Sequence, residues 1–459
     1  MDTVITVAAY VFWGVVTFSV LVFVHEGGHF LAARACGVRV SEFFLGMPCS
    51  RNLHHVSKRI GTKFGITPIL VGGYARICGM EPARSGCAAA VLGAVHRRGV
   101  ATVAELAEEL GADEDEVLDA CVQLMDWGSV APVYDEAAGE REGGAYYPLT
   151  YAAMPRDAEG DTIYDGRAFD RAHATAQGEP WEPPFSDEAF LARERGRTYL
   201  GKGFWKRALM LVAGIAVNIV TGFLLLVAVY SVIGFDVTMY VDTNTIGGVT
   251  EGSPADELGL AAGDTILSIN GAVIESWTDI SEAIGALDPG DAVEVVFEHD
   301  GEERSGTVAL GEDGLLGVSA SYVYYENYRF DVLTAMGLAA SYVAQTAEAV
   351  ADLLIPSKTM EVLENSSSIV GISVMSYEAA SSGASTYLAF VALISFSLGF
   401  MNLLPIPPLD GGKLLIEVVQ AVSRREVPVK VQNAISYAGL ALFCLLFVYL
   451  LQSDITRLL

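Results

Sequence analysis

The chain has 459 residues, of which 52% are hydrophobic and only 18% are charged. This composition is too apolar for a typical soluble domain and indicates a membrane protein. The formal net charge of −28 argues against a nucleic-acid partner, because phosphates would be repelled. The acidity is local, since 23 of the 56 acidic residues fall within 101–200, beside 7 basic residues.

The first predicted element is a transmembrane helix. Residues 4–24 contain no charged side chain, and as a helix they would extend about 30 Å, enough to cross a bilayer. The start of the chain has no basic region, and no small-residue cleavage site follows the apolar run. We therefore expect a membrane anchor rather than a cleaved signal peptide.

The motif HEGGH, residues 25–29, lies at the end of this apolar run. His25 and His29 are four residues apart, so on a helix they share one face and can hold one zinc ion. Glu26 beside them can take a proton from water that the metal activates. The alternative is that the histidines only cap a membrane anchor near the lipid headgroups. Catalytic zinc normally has three protein ligands, so the zinc interpretation requires one more.

The region that follows contains two kinds of structure. Residues 64–77, FGITPILVGGYARI, are rich in β-branched residues and indicate strands. Residues 88–133 predict three short helices and a strand pair, a pattern that resembles a winged helix-turn-helix. Capping boxes at Thr102 with Glu105, and at Asp113 with Glu116, fit two of its helix starts. Residues 134–196 are rich in Gly, Pro, Ala and Asp, so partial disorder is predicted there.

The helix that would read DNA in a winged helix, EDEVLDACVQLMDW, is acidic and would repel phosphates. We favour a protein-contact or sensing module over a plain spacer for this insertion, and both over DNA binding. A protein partner for residues 85–200 is therefore expected.

Residues 246–310 alternate short β-rich runs with Gly-Asp and Asn-Gly turns around one short helix. The stretch GSPADELGLAAGDTILSINGAVIESW resembles a PDZ domain in the circular order common in bacterial proteases. PDZ domains bind an extended peptide or chain end along a strand edge, so the resemblance implies a polypeptide partner.

Asp410 is the best candidate for the third ligand, since no histidine lies in a later apolar segment. It ends the otherwise uncharged segment FMNLLPIPPLD, where an unpaired carboxylate would cost several kcal/mol. A bound metal removes that cost. The alternative is a proline-terminated helix capped by Asp-Gly-Gly.

The predicted domains are 1–84, the first transmembrane helix with the strands; 85–200, the insertion; 201–235, the second transmembrane helix; 245–312, the PDZ domain; 328–357, an amphipathic helix; 383–412, the third transmembrane helix; and 432–452, the fourth. Basic residues flank the spans on one side. By the positive-inside rule, both termini and residues 235–385 are extracytoplasmic, and residues 34–206 and 411–433 are cytoplasmic.

Six segments carry a family resemblance: HEGGH (25–29), GGYARICGM (72–80), AGIAVN (213–218), the PDZ-like module, SSIVGISVM (367–375) and NLLPIPPLDGG (402–412). In this order they resemble the site-2 proteases, intramembrane zinc metalloproteases, over nearly the whole chain outside 85–200. The chain departs from the family at Ile215, where proline is usual, and in the insertion.

The resemblance implies zinc ligands at His25, His29 and Asp410, with Glu26 as the general base. It also implies substrate contacts at Asn402 and Asn218. Residues 64–77 would form a membrane-associated β-hairpin, turning at Gly72 and Gly73, whose edge strand pairs with an unwound substrate.

We therefore predict a polytopic α-helical membrane protein with about four transmembrane helices, the β-hairpin, an extracytoplasmic PDZ-like α+β domain and a cytoplasmic winged-helix-like insertion. It would lie in the cell membrane as an intramembrane zinc protease. Its substrates would be single-span proteins such as trimmed anti-sigma factors or signal-peptide remnants. Two alternatives stay open: an inactive membrane scaffold or chaperone, and a metal transporter.

Overall fold

The computed structural model describes residues 2–70, 72–81, 85–135, 139–140, 147–364, 366–425 and 427–458. It contains two compact units, Met1–Val227 with Leu333–Leu459, and Ala228–Val332. The helices are α1 (Asp2–Ala35), α2 (Ala88–Arg98), α3 (Val103–Leu110), α4 (Glu114–Asp126), α5 (Asp187–Arg195), α6 (Phe204–Ala228), α7 (Pro254–Glu257), α8 (Trp277–Gly285), α9 (Val332–Asp352), α10 (Pro356–Glu364), α11 (Ile369–Ser381), α12 (Ala384–Leu403), α13 (Asp410–Ser423) and α14 (Val429–Leu458). The strands are β1 (Val40–Leu45), β2 (Leu53–Val56), β3 (Lys63–Ile66), β4 (Gly73–Ile77), β5 (Val100–Thr102), β6 (Val130–Val133), β7 (Thr150–Ala153), β8 (Phe235–Tyr240), β9 (Ile246–Val249), β10 (Thr265–Ile269), β11 (Ala272–Val273), β12 (Ala292–His299), β13 (Glu302–Ala309), β14 (Val318–Ala320) and β15 (Tyr322–Tyr328).

Within the described residues, four helices are long and apolar enough to cross a membrane. They are Val4–Ala35, Phe204–Ile233, Ala384–Leu403 and Lys430–Thr456, and they coincide with the four apolar segments of the sequence. Helices α9 and α10 meet the same criterion only as a pair, which bends by 118° at their junction. The chain is a multi-pass membrane protein.

A four-stranded sheet in the order β2-β3-β1-β4 follows α1. The predicted β-hairpin at 64–77 is wrong in its pairing, because β3 and β4 both bond to β1 rather than to each other. β1 runs parallel to β3 and antiparallel to β4. The side chains of Val40, Phe43 and Phe44 on β1 are buried, as expected for a strand in the middle of a sheet. The predicted hairpin includes no strand at this position. β4 is an edge strand. Val71, within the predicted hairpin, lies outside the described residues.

The insertion packs α2, α3 and α4 against a sheet in the order β5-β7-β6. The capping box of Thr102 and Glu105 is confirmed. Asp113 also caps a helix, but it accepts its hydrogen bond from the backbone N–H of Asp115, so no box with Glu116 forms. The winged-helix assignment itself stays a prediction.

The second half of the insertion, for which the sequence predicts partial disorder, contains a buried ionic cluster in its described part. Glu194 on α5 is fully buried and accepts two hydrogen bonds from Arg156, both 2.9 Å long. It also accepts bonds of 2.6 and 3.2 Å from Arg39, the residue before β1. Arg39 donates two further bonds to Asp165.

Burial and the neighbouring arginines have opposite effects on the pKa of Glu194 but act in the same direction on the pKa of His96. Burial alone would raise the pKa of Glu194, but Arg156 and Arg39 hold that pKa well below its usual range. Burial and the neighbouring Arg156 lower the pKa of His96 to about 3. Glu194 is therefore a carboxylate and His96 neutral at physiological pH. The insertion is joined to the sheet beside α1 through paired, desolvated charges.

The unit Ala228–Val332 is rich in strands. A sheet in the order β11-β10-β12-β13 packs with α7 and α8 around a core that includes Ile266, Ile269 and Phe297. Two strand pairs, β9 with β14 and β8 with β15, complete the unit.

Residues Leu409, Asp410 and Gly411, predicted to lie in the third span (383–412), follow that span instead. Helix α12 ends at Leu403, and Asp410 is the first residue of α13. Residues 411–423, predicted as part of a connection, are thus helical.

Candidate metal centre

Side chains from α1 and α13 meet at one point. Asp410 Oδ2 lies 3.1 Å from His25 Nε2 and 3.0 Å from His29 Nε2. The two Nε2 atoms are 3.1 Å apart. Both histidines are largely buried. Helical spacing explains why His25 and His29 lie together, whereas Asp410, which is 381 residues after His29, reaches them only through the tertiary fold.

Helix α6 contacts the outer ring nitrogen of each histidine. His29 Nδ1 lies 2.7 Å from the carbonyl oxygen of Met210, which can only accept, so Nδ1 carries the hydrogen and Nε2 keeps a free lone pair. Asn218, fully buried, places its amide 3.3 Å from His25 Nδ1. Its Oδ1 has no hydrogen-bond partner among the described residues. Turning the amide would let Oδ1 accept from His25 Nδ1–H in the same way.

Two glycines allow α6 to approach α1 this closely. A Cβ on Gly28 would lie 2.6 Å from the carbonyl oxygen of Ala213, and a Cβ on Gly214 would lie 2.5 Å from His29 Nε2. Both distances are far inside van der Waals contact. The second glycine of HEGGH and the glycine of AGIAVN are therefore required by packing.

Replacing Gly28 with alanine is expected to separate α1 from α6 and to lower the free energy of unfolding by about 1–3 kcal/mol, the usual cost of overpacking. The adjacent Gly27→Ala is the matched control, because its Cβ would meet no atom within 4 Å. Thermal unfolding in detergent measures both. Equal midpoints for the two variants would contradict the packing role.

Glu26 faces the edge strand of the sheet. Its Oε2 accepts a hydrogen bond of 3.0 Å from the backbone N–H of Ala75 on β4. A small cleft of about 80 Å³ opens here, lined by Glu26, His29, Asp410, Lys413, Tyr199 and residues of β4 and α6. The carboxylate and the cluster thus share one cavity.

The other predicted site residues lie at different distances from this cluster. A Cβ on Gly73 would lie 3.9 Å from Glu26 Cγ, so Gly73 borders the site. Gly72 precedes it with a φ of 121°. Asn402 Nδ2 donates 2.9 Å to the carbonyl oxygen of Leu398 in its own helix and makes no described bond to the cluster.

Three residues that the sequence analysis does not single out as site residues contact one another next to the cluster, and one of them, Tyr199, lines the cleft. Tyr199 Oη donates 3.2 Å to Glu417 Oε1 on α13, and Arg207 Nη2 on α6 lies 3.1 Å from Glu417 Oε2. Burial raises the pKa of Glu417, although Arg207 and Tyr199 oppose the shift. No sequence spacing links Tyr199, Arg207 and Glu417. Of the three, only Arg207 contributes to the sequence analysis, as one of the basic residues that flank the spans.

The donor set fits zinc. Ligands about 2.0 Å from a tetrahedral ion lie about 3.3 Å from one another, close to the 3.0–3.1 Å separations here. Two imidazoles and one carboxylate are a common set for catalytic zinc, with a fourth position left for water or substrate. No other group of three such side chains meets within the described residues.

Comparison with known proteins identifies the family. The profile described as "Peptidase family M50" matches residues 13–446. The chain belongs to peptidase family M50. "Zinc metalloprotease RasP" of Geobacillus kaustophilus is 30% identical to this M50 chain, covering 96% of it and 97% of the relative. RasP of Shouchella clausii is 28% identical with the same coverage. "Regulator of sigma-W protease RasP" of Bacillus subtilis is 26% identical, covering 97% of both chains.

This M50 protein is accordingly an intramembrane zinc metalloprotease of the site-2 protease type, which acts in regulated intramembrane proteolysis. The family assignment favours this activity over the scaffold and the transporter. Among solved structures, a PDZ domain of a Listeria monocytogenes SdrC-like protein aligns with 18% of this chain and 93% of its own, at 24% identity and a TM-score of 0.16.

Proposed function

We propose that His25, His29 and Asp410 hold the catalytic zinc and that Glu26 is the general base of peptide-bond hydrolysis. The observation that carries this proposal is the meeting of three donor atoms within 3.1 Å of one another beside the Glu26 carboxylate. When bound, zinc supplies Lewis-acid activation of water and of the scissile carbonyl.

The protein's own groups carry the proton transfers. Glu26 takes a proton from the attacking water at a carboxylate oxygen and delivers it to the amide nitrogen that leaves. The carbonyl oxygen of Met210 holds His29 in the tautomer that leaves Nε2 free for the metal, and Asn218 would do the same for His25 once its amide is turned so that Oδ1 faces Nδ1. On this assignment Asn218 orients a ligand, while Asn402 is the better candidate for contact with substrate.

The substrate backbone would bind along β4. A transmembrane helix conceals its carbonyls in hydrogen bonds, so a segment must unwind before cleavage. The open edge of β4 would replace those bonds by strand addition, next to Glu26. Gly72 and Gly73 would let the substrate pass closely at the start of that strand.

The substrates would be single-span proteins that another protease has already trimmed, such as anti-sigma factors or signal-peptide remnants. The name of the B. subtilis relative, a regulator of sigma-W, supports the first class. The strand-rich unit, as an extracytoplasmic PDZ-like module, would bind a chain end or act as a size filter. Both termini would be extracytoplasmic, in agreement with the basic flanks.

The insertion 85–200, as a cytoplasmic winged-helix-like module, would bind a protein and gate access to the site. Its exposed acidic residues on α4, Glu114, Asp115 and Glu116, are the surface to test. Replacing them with glutamine and asparagine should alter cleavage of a native substrate. An unchanged rate would refute gating through this surface.

Removing one ligand tests the zinc assignment. Asp410→Asn, purified in detergent, is expected to lose most of the one zinc ion per chain that the wild type holds, as measured by mass spectrometry of the metal. Asp300→Asn is the control, because its carboxylate is exposed in the other unit. An Asp410→Asn protein that keeps one zinc per chain would refute this ligand.

A further inference from the structure

We infer that Tyr199, Arg207 and Glu417 form a positioning device that fixes the rotation of α13 and so aims Asp410 at the two histidines. The inference rests on the proposed ligation of zinc by His25, His29 and Asp410. It concerns three side chains that make no described hydrogen bond or ion pair to the three ligands, although Tyr199 lines the same cleft.

The first step is the helical geometry of α13. Glu417 follows Asp410 by seven residues, which is about two turns, so the two carboxylates lie on the same face. Asp410 is the first residue of the helix, and first turns fray most easily. A contact two turns further along can therefore set the direction in which Asp410 points.

The second step is what holds Glu417. Its side chain is buried, and it meets Tyr199 Oη at 3.2 Å and Arg207 Nη2 at 3.1 Å. The contact with Arg207 is an ion pair without a directed hydrogen bond, since Oε2 accepts none. The tyrosine hydroxyl is thus the directional partner, and the guanidinium supplies the charge that a buried carboxylate needs.

The third step is where the two partners are held. Arg207 lies on α6 one turn before Met210, whose carbonyl fixes His29. The backbone N–H of Tyr199 donates 2.9 Å to the carbonyl oxygen of Cys78, just beyond β4, and its ring packs among residues of α1, β1 and α6. Glu417 thereby ties the helix of the third ligand to the elements that hold the other two and the edge strand.

A positioning role predicts weaker retention of zinc without loss of the fold. Outer partners of metal ligands typically change metal affinity by 10- to 100-fold. We expect Glu417→Leu to release zinc about 10- to 100-fold faster to an excess of a chromogenic chelator. Tyr199→Phe, which removes one oxygen atom, should release it several-fold faster. Glu417→Gln retains an acceptor for Tyr199 and should fall between Glu417→Leu and the wild type.

Tyr151→Phe is the matched control. This tyrosine is also fully buried, but its hydroxyl has no hydrogen-bond partner among the described residues, so its zinc release should equal that of the wild type. The double variant Arg207→Leu/Glu417→Leu leaves neither charge buried alone and guards against loss of folding. Its thermal unfolding should resemble that of the wild type while its zinc release stays fast.

The outcomes separate this inference from the proposal on which it rests. Wild-type release in the folded Glu417 variants overturns the positioning role, even if Asp410→Asn has lost its zinc. If the Glu417 variants fail to fold, Tyr199→Phe decides, and wild-type release in it overturns the role. Retention of zinc by Asp410→Asn overturns the ligand assignment instead.

Discussion

Replacing Glu26 with glutamine is expected to slow peptide-bond hydrolysis by about 10²- to 10⁴-fold while leaving the zinc content unchanged. Glutamine keeps the size and the acceptor oxygen that meets the N–H of Ala75, but it cannot take a proton from water. Two measurements check this: the abundance of uncleaved membrane stubs in cells, and the zinc content of the purified protein. The stubs that accumulate would also identify the native substrates.

The control for this variant is Glu378→Gln, an exposed carboxylate on α11. It should process substrates at the wild-type rate. A Glu26→Gln protein with full zinc and undiminished cleavage would exclude Glu26 as the base. Loss of both zinc and cleavage would mean that Glu26 supports the metal rather than the proton transfer.

Replacing Glu194 with glutamine is expected to destabilise the insertion by about 3–5 kcal/mol, because it leaves Arg156 and Arg39 buried without their shared counter-charge. The new amide also directs two donors toward two guanidinium groups. The fluorescence of Trp127 and Trp181, which pack in the core of the insertion, reports its thermal unfolding.

Glu188→Gln on the same helix is the matched control, because its side chain is exposed and its substitution removes the same charge. Its unfolding midpoint should stay within error of the wild type. Equal midpoints for Glu188→Gln and Glu194→Gln would show that the buried cluster adds no net stability.

The parts of the site that follow a local rule could be predicted from the sequence. His25 and His29 obey helical spacing, and Asp410 was conspicuous as a carboxylate ending an uncharged run. The contact of Tyr199 with Glu417 joins residues 218 positions apart, and neither has an unusual neighbourhood in the sequence. Such tertiary contacts leave no local pattern.

The errors in the fold also have physical causes. Asp-Gly-Gly suggests a turn, because glycine disfavours helices, yet α13 begins there. A Cβ on Gly411 would overlap the carbonyl oxygen of Leu403, so this glycine permits close packing against the preceding chain. The pairing differs from the predicted hairpin because β1, for which the sequence pattern predicts no strand, lies between β3 and β4. In VSEFFL a polar Ser-Glu pair interrupts the apolar residues, which obscures the alternation typical of a strand.

The ionic cluster between the insertion and β1 determines whether the insertion can be removed without disturbing the rest of the protein. Both carboxylates that pair with Arg39 belong to the insertion, as does Tyr199, the partner of Glu417. Deleting residues 85–200 would therefore leave the buried guanidinium of Arg39 without its two carboxylate partners. It would also remove Tyr199, which holds α13 through Glu417. A loss of activity in the truncated enzyme would therefore reflect these unpaired groups and not the loss of a regulatory role. The insertion cannot be deleted as an independent domain. A shortened version of the protein would need an apolar residue in place of Arg39 and would need to retain Tyr199.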